Sequence, residues 1–517
     1  MKNIELNEQF KKAISVMEDS NKNVFVTGKA GTGKSTLLTY FRSVTKKKIV
    51  VLAPTGVAAL NVKGQTIHSF FRFKPDITVD TVKKTYAKES GKNIYKNIDA
   101  IVIDEVSMVR ADLLDCVDRF MRLNGKNSAL PFGGAQMIFI GDLYQLPPVV
   151  VGKERELFRT YYKSQYFFDA KAFENLNAEF IELEKIYRQK DQKFIDLLNS
   201  IRNNSATDKH LQAINTRFDP QFEPKTSDFY IYLTTTNDLA EEINQKQLAK
   251  IKGKMFSYHG QIMGDFETRS LPTKIELSVK AGSQIMMLNN DQEGRWVNGS
   301  IGKIIKIEKG EEAGDIVIIE LADGALEEVC PYTWELFKFS FDAKIGKLNS
   351  ETVGSFTQYP FMLAWAVTIH KSQGKTFDNV IIDIGRGTFV HGQMYVALSR
   401  CTTLAGIVLK KQIQKRHIFM DWRVVKFVTG YQYGISEKDL SLEDKIKIIK
   451  DTIKGNRKLE ILYLKSNDEK SQRFIQPSFV GEMEYLGRKF IGVSGFDSKR
   501  QEERTFRVEK ILQMSIV

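Results

Sequence analysis

VFVTGKAGTGKSTLLTYF, residues 24–41, is the stretch that decides the fold. A β-branched apolar run ends at Gly28, a glycine-rich turn follows, and a helical pattern opens after Lys34 and Ser35. Strand, GxxxxGKS and helix in that order is the context in which a P-loop pattern carries meaning. The glycines let backbone N–H groups turn inward around phosphate oxygens, and the helix N-terminus adds a positive dipole. The nucleotide-binding set read from this stretch is Gly28, Ala30, Gly31, Thr32, Gly33, Lys34, Ser35 and Thr36. In it Lys34 supplies a point charge to the β- and γ-phosphates of ATP, and the Ser35 hydroxyl is a ligand for Mg²⁺.

Three more apolar runs accompany the first: IVVLAP (49–54), AIVID (100–104) and MIFIGD (137–142). Continuous apolar runs bounded by Gly, Pro or Asp read as buried parallel strands with helices in the connections, an α/β block. The third delivers Asp104 and Glu105 at its C-terminal end, where open α/β sheets bind ligands. Asp104 is expected to hold Mg²⁺ and Glu105 to orient and deprotonate the attacking water. The fourth leads into GDLYQLPP, which places Gln145 to sense the γ-phosphate and a rigid Leu-Pro-Pro to pass the change on.

A second α/β block holds YIYLT (230–234), MLAWAVTIH (362–370) and NVIIDI (379–384). Between them, over 256–354, IGKIIKIEKG and GDIVIIELADG read as strands joined by tight turns, and we expect a small inserted β-barrel. Residues 429–440 read as a linker. Ser441 opens a helical pattern (Leu442, Ile446, Ile449, Ile453) that Gly455 ends, with Asp444 in the place of a capping-box Glu. Strand-like LEILYL, KFIGVSGF and TFRVEKI follow.

Arg188 in IYRQ and Arg400 in ALSR are candidates to reach a γ-phosphate across a cleft. VTIHKSQG gathers hydroxyl, imidazole, ammonium and amide donors in one loop suited to phosphates. Together these segments resemble the superfamily-one DNA helicases of the Pif/RecD type, over about residues 1–428. The most specific stretches are APTGVAA (53–59), PFGGAQMIFIGDLYQLPPV (131–149), AVTIHKSQG (366–374) and YVALSR (395–400). The resemblance implies two RecA-like motor domains, 1–185 and 186–255 with 355–428, and a wedge-like segment at about 60–98. It makes the insert at 256–354 SH3-like, with RWVNGSIG (295–302) helping to enclose the strand. It further implies ATP-driven 5′→3′ translocation on single-stranded DNA, unwinding of forked or structured DNA, and service in DNA repair and recombination. Gln9 then resembles an adenine-reading glutamine, and Gly374 joins the nucleotide site. The DNA track is expected to comprise Pro54, Thr55, Gly56, Thr66, His68, Phe70, Thr235, Asn237, Thr368, His370 and Lys371. Phe70, Phe71 and Phe73 suit either base stacking or a core. The tail, 441–517, resembles a WYL domain in Tyr463, Pro477, Gly481, KFIGV and ERTFRVEKI, but Lys489-Phe490-Ile491 replaces the naming tripeptide. Arg473, Arg488, Arg504 and Arg507 are its candidate anion contacts.

Composition agrees. A net charge of +13 favours a polyanionic partner. Cys116, Cys330 and Cys401 form no CxxC or Cys/His cluster, which fits a reducing cytosol. There is no apolar h-region at the N-terminus and no run long enough to span a bilayer. The expectation is a monomer in a bacterial cytoplasm, associated with the nucleoid and with other replication or repair proteins. Two other readings stay open: an ATP-gated clamp that signals without unwinding, and a regulatory DNA-binding protein whose motor serves the tail. Two α/β blocks and two candidate arginines favour the translocating enzyme.

Overall fold

The computed structural model describes residues 6–74, 76–84, 94–150, 154–174, 176–225, 228–266, 268, 271–310, 314–342, 347–385, 387 and 390–517. Residues 75 and 85–93 of the expected wedge lie outside that set. The chain divides into two units, residues 1–201 with 206–419, and residues 202–205 with 420–517.

The larger unit holds a six-stranded sheet of β1 (Val24–Gly28), β2 (Ile49–Ala53), β3 (Gln65–Thr66), β4 (Ala100–Ile103), β5 (Gln136–Ile140) and β6 (Glu179–Leu183), in the order β3-β2-β4-β5-β1-β6. All pairings are parallel. Both faces are covered, so β1, β4 and β5 are buried along their full length. Alternate residues divide between the faces. Val24, Val26, Val102, Ile138, Ile140, Ile181 and Leu183 meet Phe10, Met17, Leu37, Leu38 and Phe41 of helices α1 (Glu8–Asp19) and α2 (Lys34–Val44). Phe25, Phe139 and Phe180 point the other way, into an aromatic cluster with Phe167 and Phe173. The sequence reading missed β3, too short to show a period, and β6, whose Glu179 and Glu182 interrupt its apolar run. Part of the expected wedge, residues 65–71, belongs to this sheet and its core.

A second parallel sheet has the order Ala366–Thr368, Ile231–Thr234, Val380–Asp383, Ile407–Leu409. Antiparallel strands intervene. Five of them, Leu326–Val329, Ile316–Leu321, Ile301–Glu308, Gln284–Met287 and Phe361–Leu363, make one sheet. Its core joins Ile285, Met287, Trp296, Ile304, Val317, Ile319 and Phe361. The run 362–370 is therefore not one strand: Phe361–Leu363 completes the antiparallel sheet, and Ala366–Thr368 enters the parallel one. Periodicity could not separate them, because both halves are buried and apolar.

The smaller unit corrects the expected linker. Residues 422–439 form an 18-residue helix, Trp422–Asp439, that buries Val424, Val425, Val428, Gln432 and Ser436. A second helix, Leu442–Lys454, packs its Ile449 with an antiparallel sheet that includes Leu459–Leu464 and the long strand Lys470–Tyr485. Ser441 caps that helix through the Asp444 N–H at 3.1 Å. Asp444 does not complete a capping box: its carboxylate accepts from the Ser441 hydroxyl at 2.7 Å, and Glu437 takes the Leu442 N–H. Arg473 is no free anion contact, being buried in an ion pair with Asp497 at 3.0 Å. Arg504 and Arg507 also have carboxylate neighbours, Glu502 at 3.7 Å and Glu509 at 3.5 Å. Among the described residues no helix is long and apolar enough to cross a membrane.

Candidate nucleotide site and nucleic-acid track

β1 hands the chain to the P-loop at Gly28. A Cβ there would stand 2.6 Å from Thr32 Oγ1 and 2.7 Å from the Leu183 carbonyl. Gly31 and Gly33 adopt φ of +80° and +88°, conformations that only glycine holds without strain. A Cβ on Gly31 would meet Arg188 Cβ at 2.6 Å, so this glycine also admits the arginine's chain. Lys34 lies across the loop, its Nζ donating to the carbonyls of Gly28 at 2.8 Å and Lys29 at 3.0 Å. Burial lowers its pKa, against the opposing pull of Asp142, Glu105 and Asp104. Ser35 and Thr36 are exposed at the helix start. Beside them Gln9 Nε2 donates to Glu184 Oε2 at 3.4 Å, and Asn7 Nδ2 donates to the Tyr187 hydroxyl at 3.2 Å.

β4 delivers the carboxylates. Glu105 takes φ +50°, a left-handed conformation uncommon outside glycine and a form of strain that recurs at functional sites. Burial pushes Asp104 up to about 6, against its hydrogen bond from the Glu105 N–H and the charge of Lys34. Burial, then Asp104, push Glu105 up to about 7, while Lys34 and Arg400 oppose the shift. A carboxylate raised toward neutrality is matched to accepting a proton. Gln373, from the loop after the second sheet's edge strand, donates its Nε2 to Glu105 Oε2 at 3.0 Å. Gln145 is buried and donates to Asp142 Oδ2 at 3.0 Å. The carbonyls of Tyr144 and Gln145 press against Gly392, and His391 Nε2 bonds the Leu143 carbonyl at 3.1 Å.

Both predicted arginines are here. Arg188 donates to the carbonyls of Ser399 at 3.1 Å and Gly374 at 3.4 Å. Arg400 is 1% exposed, and its guanidinium donates to the carbonyls of Val396, Lys375 and Ser372 and to the Ser399 hydroxyl. Burial, then repulsion from Arg188, push Arg400 down to about 9, while Glu105 pulls it up. Two neighbouring cations held on carbonyl and hydroxyl oxygens, with little solvent, favour an added anion. The Tyr395 hydroxyl, which the sequence reading passed over, accepts from the Ala30 N–H at 2.9 Å.

The expected nucleic-acid contacts fall into four groups. Thr55 and Thr66 are helix caps, accepting from the N–H groups of Ala58 at 3.3 Å and Ser69 at 3.1 Å. The matching cap in the second sheet is Thr236, which accepts from Leu239 N–H at 3.4 Å between the predicted Thr235 and Asn237. Thr368 accepts from Lys371 N–H at 3.2 Å and leaves His370 and Lys371 exposed. A cavity of about 800 Å³ brings Asn237, Thr368 and Lys371 together with Lys274 and Ser278 of the antiparallel region. Pro54, Gly56 and His68 are half-buried near the strand ends. Phe70 is a correction: it is 6% exposed and packed edge-on against Phe71 and Tyr95, in a cluster that takes in Phe73 and Phe120. Its ring is core and offers no platform to a base.

Residues 3–212 match the family model of the PIF1-like helicase, and residues 363–408 match that of the UvrD-like helicase C-terminal domain. The chain is 32% identical over 401 residues to the ATP-dependent DNA helicase Pif1 of Campylobacter jejuni, a match covering 74% of this chain and 87% of that protein. The chain belongs to the PIF1-like helicase family. To the ATP-dependent DNA helicase PIF1 of Emericella nidulans it is 28% identical over 485 residues, covering 81% of this chain and 62% of that one. It likewise spans 59% and 63% of the Xenopus laevis and human relatives. Unliganded Pif1 from Bacteroides sp is 36% identical and superposes with a TM-score of 0.75 over 83% of this chain and 98% of that chain. The same helicase bound to single-stranded DNA superposes with 0.60. The mixed α/β architecture is that of RecA-like helicase domains. The first family match holds Gln9, the P-loop, both carboxylates, Gln145 and Arg188; the second holds Thr368, Lys371, Gln373 and Arg400.

Proposed function

We propose that this protein is an ATP-dependent DNA helicase that translocates 5′→3′ on single-stranded DNA and unwinds forked or structured duplexes. One observation carries the reading: Glu105 on the first sheet is bonded to Gln373 on a loop of the second, and that loop's carbonyls hold both arginines. Chemistry at the nucleotide and the relation between the sheets are thereby one linked geometry, as a motor requires.

The residues suit ATP and Mg²⁺. The glycine positions leave a cradle that a Cβ would fill, the Ser35 hydroxyl is exposed, and Asp104 is a desolvated carboxylate that a cation would complement. Mg²⁺, when bound by Ser35 and Asp104, would neutralise charge on the phosphates. Lys34 exchanges its carbonyl partners for phosphate oxygens. Glu105 takes a proton from the attacking water, and Gln373 fixes its carboxylate. Arg188 and Arg400 stabilise the charge that develops at the γ-phosphate. Gln145, through the Tyr144–Gly392 and Leu143–His391 contacts, passes the state of the site to the second sheet.

Strand-end loops of both sheets, with Lys371 and the cavity beside it, form the DNA track, and the phosphate backbone is its main ligand. We read the antiparallel insert as SH3-like and the tail as WYL-like, and the active form as a monomer acting in a bacterial cytoplasm with replication or repair proteins. The relatives named above as DNA helicases, and the Bacteroides helicase crystallised with ADP-AlF4 and with single-stranded DNA, support the substrate choice. Strand displacement on duplexes bearing a 5′ or a 3′ single-stranded tail tests it. Unwinding from the 5′ tail alone is expected; unwinding only from the 3′ tail reverses the direction, and none from either leaves an ATP-gated clamp.

A further inference from the structure

Asn298 stands in the turn of RWVNGSIG, in the antiparallel region, and its side chain reaches toward both parallel sheets. Its Nδ2 donates to Asn61 Oδ1 at 2.8 Å, at the C-terminal end of the helix Gly56–Asn61 that follows β2. Its Oδ1 accepts from Lys375 Nζ at 2.6 Å. The two ends of one amide therefore join the element after a strand of the first sheet to the loop after a strand of the second.

The turn that presents Asn298 is firmly held. Trp296 is buried with its Nε1 bonded to Asn289 Oδ1 at 3.0 Å, and Arg295 pairs with Asp291 while lying over the Trp296 ring. The Asn298 N–H bonds Asn290 Oδ1 at 2.8 Å, and the Gly299 N–H bonds the Met287 carbonyl at 2.8 Å. Gly299 has φ +102°, and a Cβ there would touch the Lys375 stem at 3.4 Å, so the lysine lies flat on the turn.

What the amide holds gives it consequence. On one side Lys375 closes the loop whose Gln373 meets Glu105 and whose carbonyls carry Arg188 and Arg400. On the other, Gly56–Asn61 is the helix that Thr55 caps, at the first of the expected DNA contacts. Burial pushes Lys375 down to about 8, and its ammonium donates to a neutral amide. A single hydrogen bond of that kind fixes position and yields to a modest displacement.

We propose that Asn298 is a positioning residue, a clasp between helix Gly56–Asn61 and the loop at 370–375 through which DNA on the track sets the geometry of Gln373 and the two arginines. The inference rests on the DNA-driven ATPase reading above. It assigns Asn298 no contact with ATP, and its effect on chemistry runs through Lys375.

Steady-state ATP turnover of the full chain, with a saturating thymidine oligonucleotide, tests it. Asn298→Ala is expected to lower the DNA-stimulated kcat by about 5-fold or more while the KM for ATP stays within about 2-fold. Asn61→Ala should show the same defect, and the double variant should be no worse than Asn298→Ala alone, since Asn298→Ala already removes the bond to Asn61. Asn61→Asp keeps an acceptor for Nδ2 and should keep the stimulation. If Asn298→Ala does not fold, the Asn61→Ala and Asn61→Asp pair, at an exposed helix end, carries the same contrast. An unchanged stimulated kcat, additive losses, or an Asn61→Asp as impaired as Asn61→Ala would overturn the clasp. A raised Kd for the oligonucleotide with kcat intact at saturation would also overturn it, making Asn298 a DNA contact. Failure of the two proposals is distinguishable: wild-type turnover without DNA stimulation removes the helicase reading, whereas stimulated wild type with stimulated Asn298→Ala removes only the clasp.

Discussion

β1 and its counterpart Ile231–Thr234 are both buried apolar strands of parallel sheets, and the helices that follow them start within a few residues. What happens in those few residues differs. After β1 the chain places two glycines, Gly31 and Gly33, both with positive φ, and presents backbone N–H groups and Lys34. After Ile231–Thr234 it uses a threonine turn, Thr234-Thr235-Thr236, and an ordinary cap. The same contrast runs through the neighbouring loops: the first sheet supplies Asp104, Glu105 and Asp142, and the second supplies Gln373, Tyr395 and Arg400. In the function proposed above, one sheet holds the nucleotide and the other responds to it. A parallel sheet dictates only that loops gather at the C-terminal edge; the glycines and charges in those loops decide which partner does chemistry.

That division can be broken most severely at the two arginines that meet across it, Arg188 from the loop after β6 and Arg400 from the second sheet's side. Arg188→Ala and Arg400→Ala are each expected to lower turnover by about 10³–10⁵ with nucleotide affinity largely kept. Lys34→Ala, on the holding side, should lose turnover together with affinity. Fluorescent-nucleotide binding beside steady-state ATPase separates the two patterns, and near-normal turnover in either arginine variant would remove that arginine from the site. Next comes Glu105→Gln, which should lower hydrolysis by about 10²–10⁴ and leave ATP binding intact. Wild-type hydrolysis by this variant at saturating DNA would show that the strained carboxylate is not the base.

A smaller effect sharpens the comparison at the edge of the first sheet. Phe70→Ala should cost about 3–5 kcal/mol of stability, as a large core ring does, measured by denaturant unfolding. A variant of normal stability with weakened oligonucleotide binding would restore Phe70 to the DNA track. The smallest effect is a matched pair. Thr55→Ala and Thr236→Ala remove equivalent caps from the two sheets, and each should cost about 1 kcal/mol. Unequal losses would show that one of the two threonines does more than cap its helix.

Much of this was open to reading because it is local. The P-loop is eight consecutive residues, Asp104 and Glu105 are adjacent, and Arg188 and Arg400 sit in short distinctive runs. Patterns of this kind depend on backbone conformation within one turn, which neighbouring residues set directly. The expected linker at 429–440 failed for a related reason. Its residues form a helix whose apolar stripe is interrupted by Thr429, Gln432 and Ser436, all buried because Thr429 bonds the Val425 carbonyl of its own helix while Gln432 and Ser436 bond Asp468 and the Ile511 carbonyl.

The sequence by itself therefore determined the nucleotide cradle, the carboxylate pair and the existence of two parallel sheets. Tertiary structure decided everything that depends on which loop meets which: Gln373 on Glu105, Tyr395 on Ala30, Asn298 between Asn61 and Lys375, and Arg473 on Asp497. It also decided that Phe70 is core, since a phenylalanine beside polar donors serves stacking or packing equally well until Phe71 and Tyr95 pack on its ring, each backed by Phe120. Those contacts join residues tens to hundreds of positions apart. No periodicity encodes them, because the chain's local preferences fix the elements, whereas the burial of their faces against one another fixes the partners.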